Sequence, residues 1–392
     1  MNNEVYLSGA VRTPIGTFCG SLESVPAPAL GSAVVKAAIA RAGVPAEQVN
    51  EVIFGNVVSA GLGQNVARQV TIGAGLSPTV GATSVNKVCG SGLKSVMLAA
   101  QAIQCGDASM IVAGGTENMS RAPYLLEKAR SGYRMGNGEL VDTMIRDGLW
   151  DVYKNVHMGL CGDRCAEKYG FTREQQDEFA VTSFKRALEA AKKGSFAREI
   201  EPIAVKAGKE TVMVGEDENP KKFNEEKLRK LRPAFGEKGT VTAGNASSIN
   251  DGAAAVVVLS GEKVKQLALK PQAKILGYAT YSREPEWFTL APIGAIEKLL
   301  NKLSLSVAQI DLFEINEAFS VVPMAAMKEL HIPFQKVNVH GGAVALGHPI
   351  GASGARTLTT LLNALKERGG RVGINCLCIG GGEAVAMAVE LC

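Results

Sequence analysis

Glu47-Gln48-Val49-Asn50-Glu51-Val52-Ile53-Phe54-Gly55-Asn56 recurs late in the chain as Ala308-Gln309-Ile310-Asp311-Leu312-Phe313-Glu314-Ile315-Asn316, with one residue of slip. The recurrence extends beyond the matched residues. Asn56 precedes Cys89 by 33 positions, and Asn316 precedes His348 by 32. Cys89 and His348 each lead into a glycine-containing turn, Gly90-Ser91-Gly92 in one copy and Gly351-Ala352-Ser353-Gly354 in the other, and an apolar helical stretch follows. Each copy then ends on a buried-strand pattern beside glycines, Gly114-Gly115 and Gly380-Gly381-Gly382. Two copies of one unit, packed face to face, would bring their equivalent turns to a shared cleft.

The unit itself reads as α/β. Residues 5–9, 52–54, 80–88 and 108–113 have strand patterns, and 29–42, 65–74 and 92–104 have helical ones. Strands alternating with helices predict a mostly parallel sheet. From about 120 to 248 the texture changes: charge clusters, Gly and Pro interrupt, and the helix over 173–193 carries polar faces. A stretch of that length is expected to have structure of its own. The expected division is a first half over 1–119 completed by 249–271, an inserted loop domain over 120–248, and a second half over 272–392.

Composition limits the function. A chain of 392 residues, 46% apolar and 20% charged, suits packed soluble domains, more than one of them. The net charge of +4, with no Lys/Arg block interleaved with aromatics, argues against nucleic acid. The densest basic stretch, 221–232, also holds Glu225 and Glu226 and reads as a solvated face, with a role near ligand phosphates left open. No apolar run approaches the roughly 20 residues that span a bilayer. Met1-Asn2-Asn3-Glu4 lacks a secretion signal, so a cytoplasmic protein with free thiols at its eight cysteines is expected. His157, Cys161 and Cys165 recur on one helical face, yet a fourth ligand at suitable spacing is missing, and no metal is expected.

Four stretches carry groups able to do chemistry. Cys89 lies where a strand gives way to a helix, a place where backbone N–H groups and the helix dipole favour a thiolate. His348 occupies the equivalent turn, and a neutral imidazole there can take a proton from a thiol. Cys376 and Cys378 share a face of a strand-like run, and spacing alone does not say which enters a site. Asn316 either presents its amide to a carbonyl oxygen or water, or caps a helix.

Taken together, Val88-Cys89-Gly90-Ser91-Gly92, Asn316-Glu317-Ala318-Phe319, Gly347-His348-Pro349 and Cys378-Ile379-Gly380-Gly381-Gly382 closely resemble the signature blocks of the thiolase family, in the family's order. The resemblance implies a thiolase-like fold, two similar α/β halves stacked in five layers with an inserted loop domain. It implies acyl transfer between coenzyme A thioesters, with no tightly bound cofactor. Cys89 would carry the acyl group, His348 would deprotonate it, and Cys378 would shuttle the proton of the condensation. Asn316, through a water, and His348 would hold the enolate oxygen; the N–H groups of Cys89 and Gly380 would hold the acyl oxygen. His157 and Met158 resemble the pair that narrows the acyl pocket in the short-chain branch, which handles acetyl-CoA, acetoacetyl-CoA and CoA. Gly244 and Ser247 resemble a pantetheine-contacting segment, and Leu149, Phe235, Ala318 and Phe319 match positions along the same tunnel. Trp287 and Phe288 are expected to narrow it further. The potassium-binding branch uses a tyrosine, and none lies between Lys206 and Arg232. Residues 121–145 resemble the family's tetramerisation loop, so a homotetramer is expected. The competing expectation is a broad-specificity 3-ketoacyl-CoA thiolase.

Overall fold

The computed structural model describes residues 4–392. Met1-Asn2-Asn3, part of the stretch read for a secretion signal, lie outside them. The first half runs β1 (Val5–Arg12), α1 (Ala27–Ala42), β2 (Glu51–Gly55), α2 (Val66–Gly73), β3 (Gly81–Val85), α3 (Ser91–Cys105) and β4 (Met110–Asn118). An insertion follows, containing α4 (Met158–Tyr169) and α5 (Arg173–Lys193), before β5 (Asn250–Ser260) returns to the same strands. The second half runs β6 (Ala273–Ser282), α6 (Ala291–Leu303), β7 (Leu312–Ile315), α7 (Val321–Leu330), α8 (Ser353–Arg368), β8 (Val372–Ile379) and β9 (Glu383–Leu391).

The strand order is β7-β8-β9-β6-β1-β5-β4-β2-β3. The halves meet where β1 and β6 pair over only two positions, Tyr6 with Lys274 and Leu7 with Ala273. Read outward from that seam, the orders match: β1, β5, β4, β2 on one side and β6, β9, β8, β7 on the other. The parallel registers match too, with Gly55 opposite Gly115 and Ile315 opposite Cys376. Beyond β7 the second half keeps only a bridge between Phe313 and Val337 where the first half has β3. There the side chain of Asn338 stands in for a ladder, bonding the N–H and the C=O of Ile315 at 2.8 Å each.

Alternation along the strands assigns side chains to three cores. Val52, Phe54, Val112 and Val257 share one with α1 and α2. Ile53, Ile111 and Val256 share the middle one with Leu377, Ile379 and Met387 of the second half, and α3 and α8 lie within it. Ile374, Cys376, Cys378 and Ala386 share the third with α6 and α7. The result is five layers: helices, sheet, helices, sheet, helices. Leu93, Val96, Met97, Ala100 and Ile103 give α3 its apolar stripe at helical spacing. Against it lie Leu358, Leu361, Leu362 and Leu365 of α8. The two helices approach most closely at their starts. A Cβ on Gly354 would lie 2.2 Å from the backbone nitrogen of Leu93, so only glycine permits this approach. It brings the Cys89 and His348 turns together.

Three strands differ most from their sequence pattern, the first being β1, which runs three residues past Gly9 to Arg12 as it pairs with β5. β3 stops at Val85 rather than 88, because the chain turns before Cys89. β4 continues through Gly114 and Gly115 to Asn118, because β2 and β5 pair with its two edges. Ladder hydrogen bonds there outweigh the low strand preference of glycine. The insertion is anchored by Arg12, which is fully buried. Its Nε lies 2.6 Å from Glu199, and Nη1 and Nη2 lie 2.7 and 2.9 Å from the two oxygens of Asp217. No helix of the described residues is long and apolar enough to cross a membrane.

Candidate active site

The elbow that presents Cys89 begins at Asn86, whose Oδ1 accepts the Val88 N–H at 3.0 Å. Val88 then adopts φ 44, a left-handed conformation that a β-branched residue takes only under strain. The N–H groups of Gly90 and Ser91 close onto the carbonyls of Lys87 and Val88 at 3.0 Å each. Ser91 Oγ braces the same turn, accepting the Lys87 N–H at 2.8 Å and donating to Val88 O at 2.6 Å. Cys89 is left almost enclosed, 7% exposed, at the wall of a cavity. Burial pushes its thiol up to about 11, against the pull of the Gly380 N–H and its own N–H, and the nearby Glu117 adds to the rise. The helix start alone would favour a thiolate. The resting group is a thiol instead, because desolvating the charge costs more than the two donors return. Cys89 therefore needs a base.

His348 lines the same cavity and could serve. Gly347 before it takes φ 109, and a Cβ there would lie 2.3 Å from Asn250 Cγ. Asn250 Oδ1 in turn accepts the His348 N–H at 3.0 Å. In the ring, Nδ1 lies 2.5 Å from Ser353 Oγ, which donates to Pro349 O at 2.8 Å. Serine has one hydroxyl hydrogen and a carbonyl can only accept, so Nδ1 must carry its own hydrogen. That leaves the lone pair on Nε2. The Nδ2 of Asn316 is 3.4 Å from Nε2, too long a contact to engage it fully. Burial, and then Arg356, push the imidazole down to about 3, so it rests neutral.

Asn316 follows β7, with its N–H bonded to Cys376 O at 2.9 Å. Its Oδ1 is buried and has no partner among the described residues. Cys376 and Cys378 do share a face, as alternation requires, but tertiary packing separates them. Cys376 Sγ sits 3.9 Å from Pro292 O, under α6. Burial first, then the neighbouring Cys89 and Cys376 were they ionised, push the Cys378 thiol well up. The backbone N–H of Gly380, two residues on, is near enough to Cys89 to pull its thiol down.

The cavity in front of Cys89 and His348 has a volume of about 290 Å³. Leu149, His157, Met158 and Phe235 of the insertion line it, together with Phe288, Ala318 and Phe319 of the second half. His157 caps α4: its Nδ1 accepts the Gly159 N–H at 3.1 Å, which puts the ring hydrogen on Nε2. The ring stacks on Phe235, centroids 4.5 Å apart, and burial keeps it neutral by lowering its pKa. Ser247 lines the cavity through a short zipper: its N–H donates to Ala318 O at 3.0 Å, and Ser320 N–H donates to Asn245 O at 2.9 Å.

Two residues lie elsewhere. Gly244 packs beneath Leu228 and Leu231 and borders a separate hollow with Lys222 and Lys227. Trp287 lies under the Lys168 ammonium, 4.5 Å from its ring centroid, and borders a surface hollow. Only Phe288 of that aromatic pair lines the cavity, because consecutive residues of a 3-10 turn point about 120° apart. Cys161 and Cys165 are buried in α4, and no group of His, Cys, Asp or Glu able to hold a metal occurs among the described residues. Sequence reasoning gives no role to Ser353, Asn250, Met119 or Ile350. Ser353 and Ile350 have a signal, since both lie within five residues of His348; Asn250 and Met119 come from distant segments.

Comparisons with known proteins match almost the whole chain. Residues 5–262 match the family model for the thiolase N-terminal domain, and residues 269–391 match that for the thiolase C-terminal domain. Acetyl-CoA acetyltransferase 2 of Arabidopsis thaliana is 54% identical over 391 residues, covering 99% of this chain and 97% of its own. The acetyl-CoA acetyltransferase of Cupriavidus necator is 51% identical over 389 residues, 99% of each chain. The solved acetyl-CoA acetyltransferase of Bacillus anthracis superposes with a TM-score of 0.98 at 42% identity, over 100% of both chains. The Acat5 thiolase of Ascaris suum, in complex with coenzyme A, gives 0.95 at 46% identity, over 99% of this chain and 100% of its own. The paired halves, the facing cysteine and histidine turns and these full-length matches establish that the chain belongs to the thiolase family and is an acyltransferase.

Proposed function

We propose that this chain is an acetyl-CoA C-acetyltransferase, which condenses two acetyl-CoA into acetoacetyl-CoA and CoA and runs the reverse thiolysis. The observation that carries the reading is that the buried Cys89 and His348, the latter's ring held by Ser353, line one cavity.

The protons balance over one cycle. His348 Nε2 takes the Cys89 proton, and the sulfur attacks the thioester carbon of the first acetyl-CoA. The carbonyl oxygen gains charge between the N–H groups of Cys89 and Gly380, fixed donors that need no reorganisation. The C–S bond to CoA breaks, and the leaving thiolate takes a proton from Cys378. Cys378, now a thiolate, removes the α-proton of the second acetyl-CoA. The enolate oxygen is held by the His348 imidazolium and by a water on Asn316. The α-carbon attacks the acetyl group, Cys89 leaves as a thiolate, and His348 returns its proton. Covalent capture predicts ping-pong kinetics.

The pantetheine arm would follow residues 243–248, from the hollow beside Gly244 to Ser247 at the cavity. Lys222 and Lys227 border that hollow and would meet the phosphates. Tyr124, Leu126, Met135 and Leu140 expose apolar side chains within 121–145, which supports a homotetramer built through that loop. Eight unpaired cysteines support work in the cytoplasm.

Mass spectrometry after incubation with acetyl-CoA tests the chemistry. One acetyl group is expected on the peptide holding Cys89, and acetylation should persist, slowly, in Cys378→Ala while condensation stops. Label on Cys378 would reverse the two roles.

A further inference from the structure

Glu117 is fully buried and takes no part in the steps above. Its two oxygens collect four N–H donors. Oε1 accepts from Asn56 Nδ2 at 2.9 Å and Val58 N–H at 3.1 Å. Oε2 accepts from Val57 N–H at 3.0 Å and Gly351 N–H at 2.8 Å. Three of these donors belong to the turn after β2 in the first half. The fourth belongs to the His348 turn of the second half.

The register accounts for this placement. Gly55 pairs with Gly115, and Ile315 pairs with Cys376. Asn56 and Asn316 follow Gly55 and Ile315, so two residues along the partner strands Glu117 is the equivalent of Cys378. Cys378 lies near Cys89, close enough to be influenced by it, in the other half's turn. Glu117 lies against Gly351, again in the other half's turn. Each half thus ends its central strand against the chemistry of its partner. Gly351 is followed two residues later by Ser353, which holds His348 Nδ1.

We propose that Glu117 is a positioning residue for His348: by bonding Val57, Val58 and Gly351 at once, it fixes the imidazole turn of the second half relative to the Cys89 half. The proposal rests on Cys89 and His348 being nucleophile and base. Burial pushes the carboxyl up, to about 7, and the backbone N–H groups pull it back. All four hydrogen-bond neighbours are donors, so the ionised form is the one the geometry accommodates. An amide NH2 in its place would face a donor.

Glu117→Gln and Glu117→Asp test it, read by kcat and KM for acetoacetyl-CoA thiolysis and by the rate of Cys89 alkylation with iodoacetamide. In Glu117→Gln, kcat should fall roughly 10- to 100-fold, the scale of a small misplacement of reacting groups. KM should stay within about 3-fold, as the cavity is untouched, and alkylation should slow with kcat. Glu117→Asp keeps the charge on a shorter stem and should recover part of the loss. Normal kcat in either folded variant overturns the proposal, as does a loss of kcat with unchanged alkylation. Failure of both variants to fold also overturns it, in favour of a purely structural carboxylate. Wild-type enzyme that is not alkylated at Cys89 would instead remove the reading beneath it.

Discussion

At the scale of the residue, enclosure sets the charge states. Both Cys89 and His348 rest neutral because desolvation penalises the ionised form of each, raising the thiol and lowering the imidazole. This has a measurable consequence for stability. An unfolded histidine binds a proton below about pH 6.5, whereas the folded ring does so only at about 3. Between those values the unfolded chain holds the extra proton, so stability falls as pH falls, by about 1.4 kcal/mol per unit. Replacing the ring with His348→Asn removes that contribution. The stability difference between wild type and His348→Asn should therefore move against the wild type by about 2 kcal/mol from pH 8 to pH 5. Urea unfolding at the two pH values measures it, and a constant difference would contradict a buried neutral ring.

At the scale of the element, α3 and α8 do most to build the site, because their starts carry the Cys89 and His348 turns. Their approach depends on Gly354, where a Cβ would meet the Leu93 backbone at 2.2 Å. Gly369, at the other end of α8, has a positive φ of 69 but no atom within 4 Å of where a methyl group would stand. The two glycines separate steric from conformational cost. Gly354→Ala must push two helices apart and should cost about 1–3 kcal/mol or more, with a large loss of kcat as the turns separate. Gly369→Ala incurs only left-handed strain, about 1–2 kcal/mol, and should keep wild-type kcat. Denaturant titration and thiolysis rates on both variants check this; equal kcat in the two would mean that the helix crossing does not set the turns. The sequence is most legible at this scale. The helix expected over 173–193 is found as Arg173–Lys193, because Thr172 and Gln175 form a capping box and Gly194 closes it in the left-handed conformation. α6 has no counterpart among the sequence expectations, and β3 ends three residues early at a strained elbow that no propensity announces.

At the scale of the whole molecule, the cavity belongs to no single unit. The first half gives Cys89, the insertion gives His157, Met158 and Phe235, and the second half gives His348, Phe288 and Phe319. Its aromatic wall is continuous: Phe235 meets Phe319 edge-on at 6.2 Å, and Phe288 leans on Phe319 at 6.3 Å. Extra methylenes pressed against such packing cost about 1–3 kcal/mol, or roughly 5- to 150-fold in rate if felt in the transition state. The wild type should therefore prefer acetoacetyl-CoA over 3-ketohexanoyl-CoA by a factor in that range. Phe288→Ala should narrow the preference, whereas Trp287→Ala should leave it unchanged. Similar kcat/KM for four- and ten-carbon 3-ketoacyl substrates in the wild type would favour the broad-specificity alternative.

Features that depend on neighbours along the chain are legible without any coordinates. Strand and helix periods, the caps of α5, the glycine turns after Cys89 and His348, and the recurrence of residues 47–56 at 308–316 are all local patterns repeated at fixed spacing. Whatever depends on groups far apart in sequence is settled by the packed chain. Packing turns Trp287 outward and Phe288 inward, sets Gly244 at another hollow, and separates Cys378 from Cys376 although both face the same way. It sets the tautomer of His348 through Ser353 and leaves Cys89 a thiol in spite of its helix-start position. The reason is that desolvation and hydrogen bonding sum over every group that packs around an atom. For Cys89 that sum includes Gly380, nearly three hundred positions away, and no spacing within the chain encodes it.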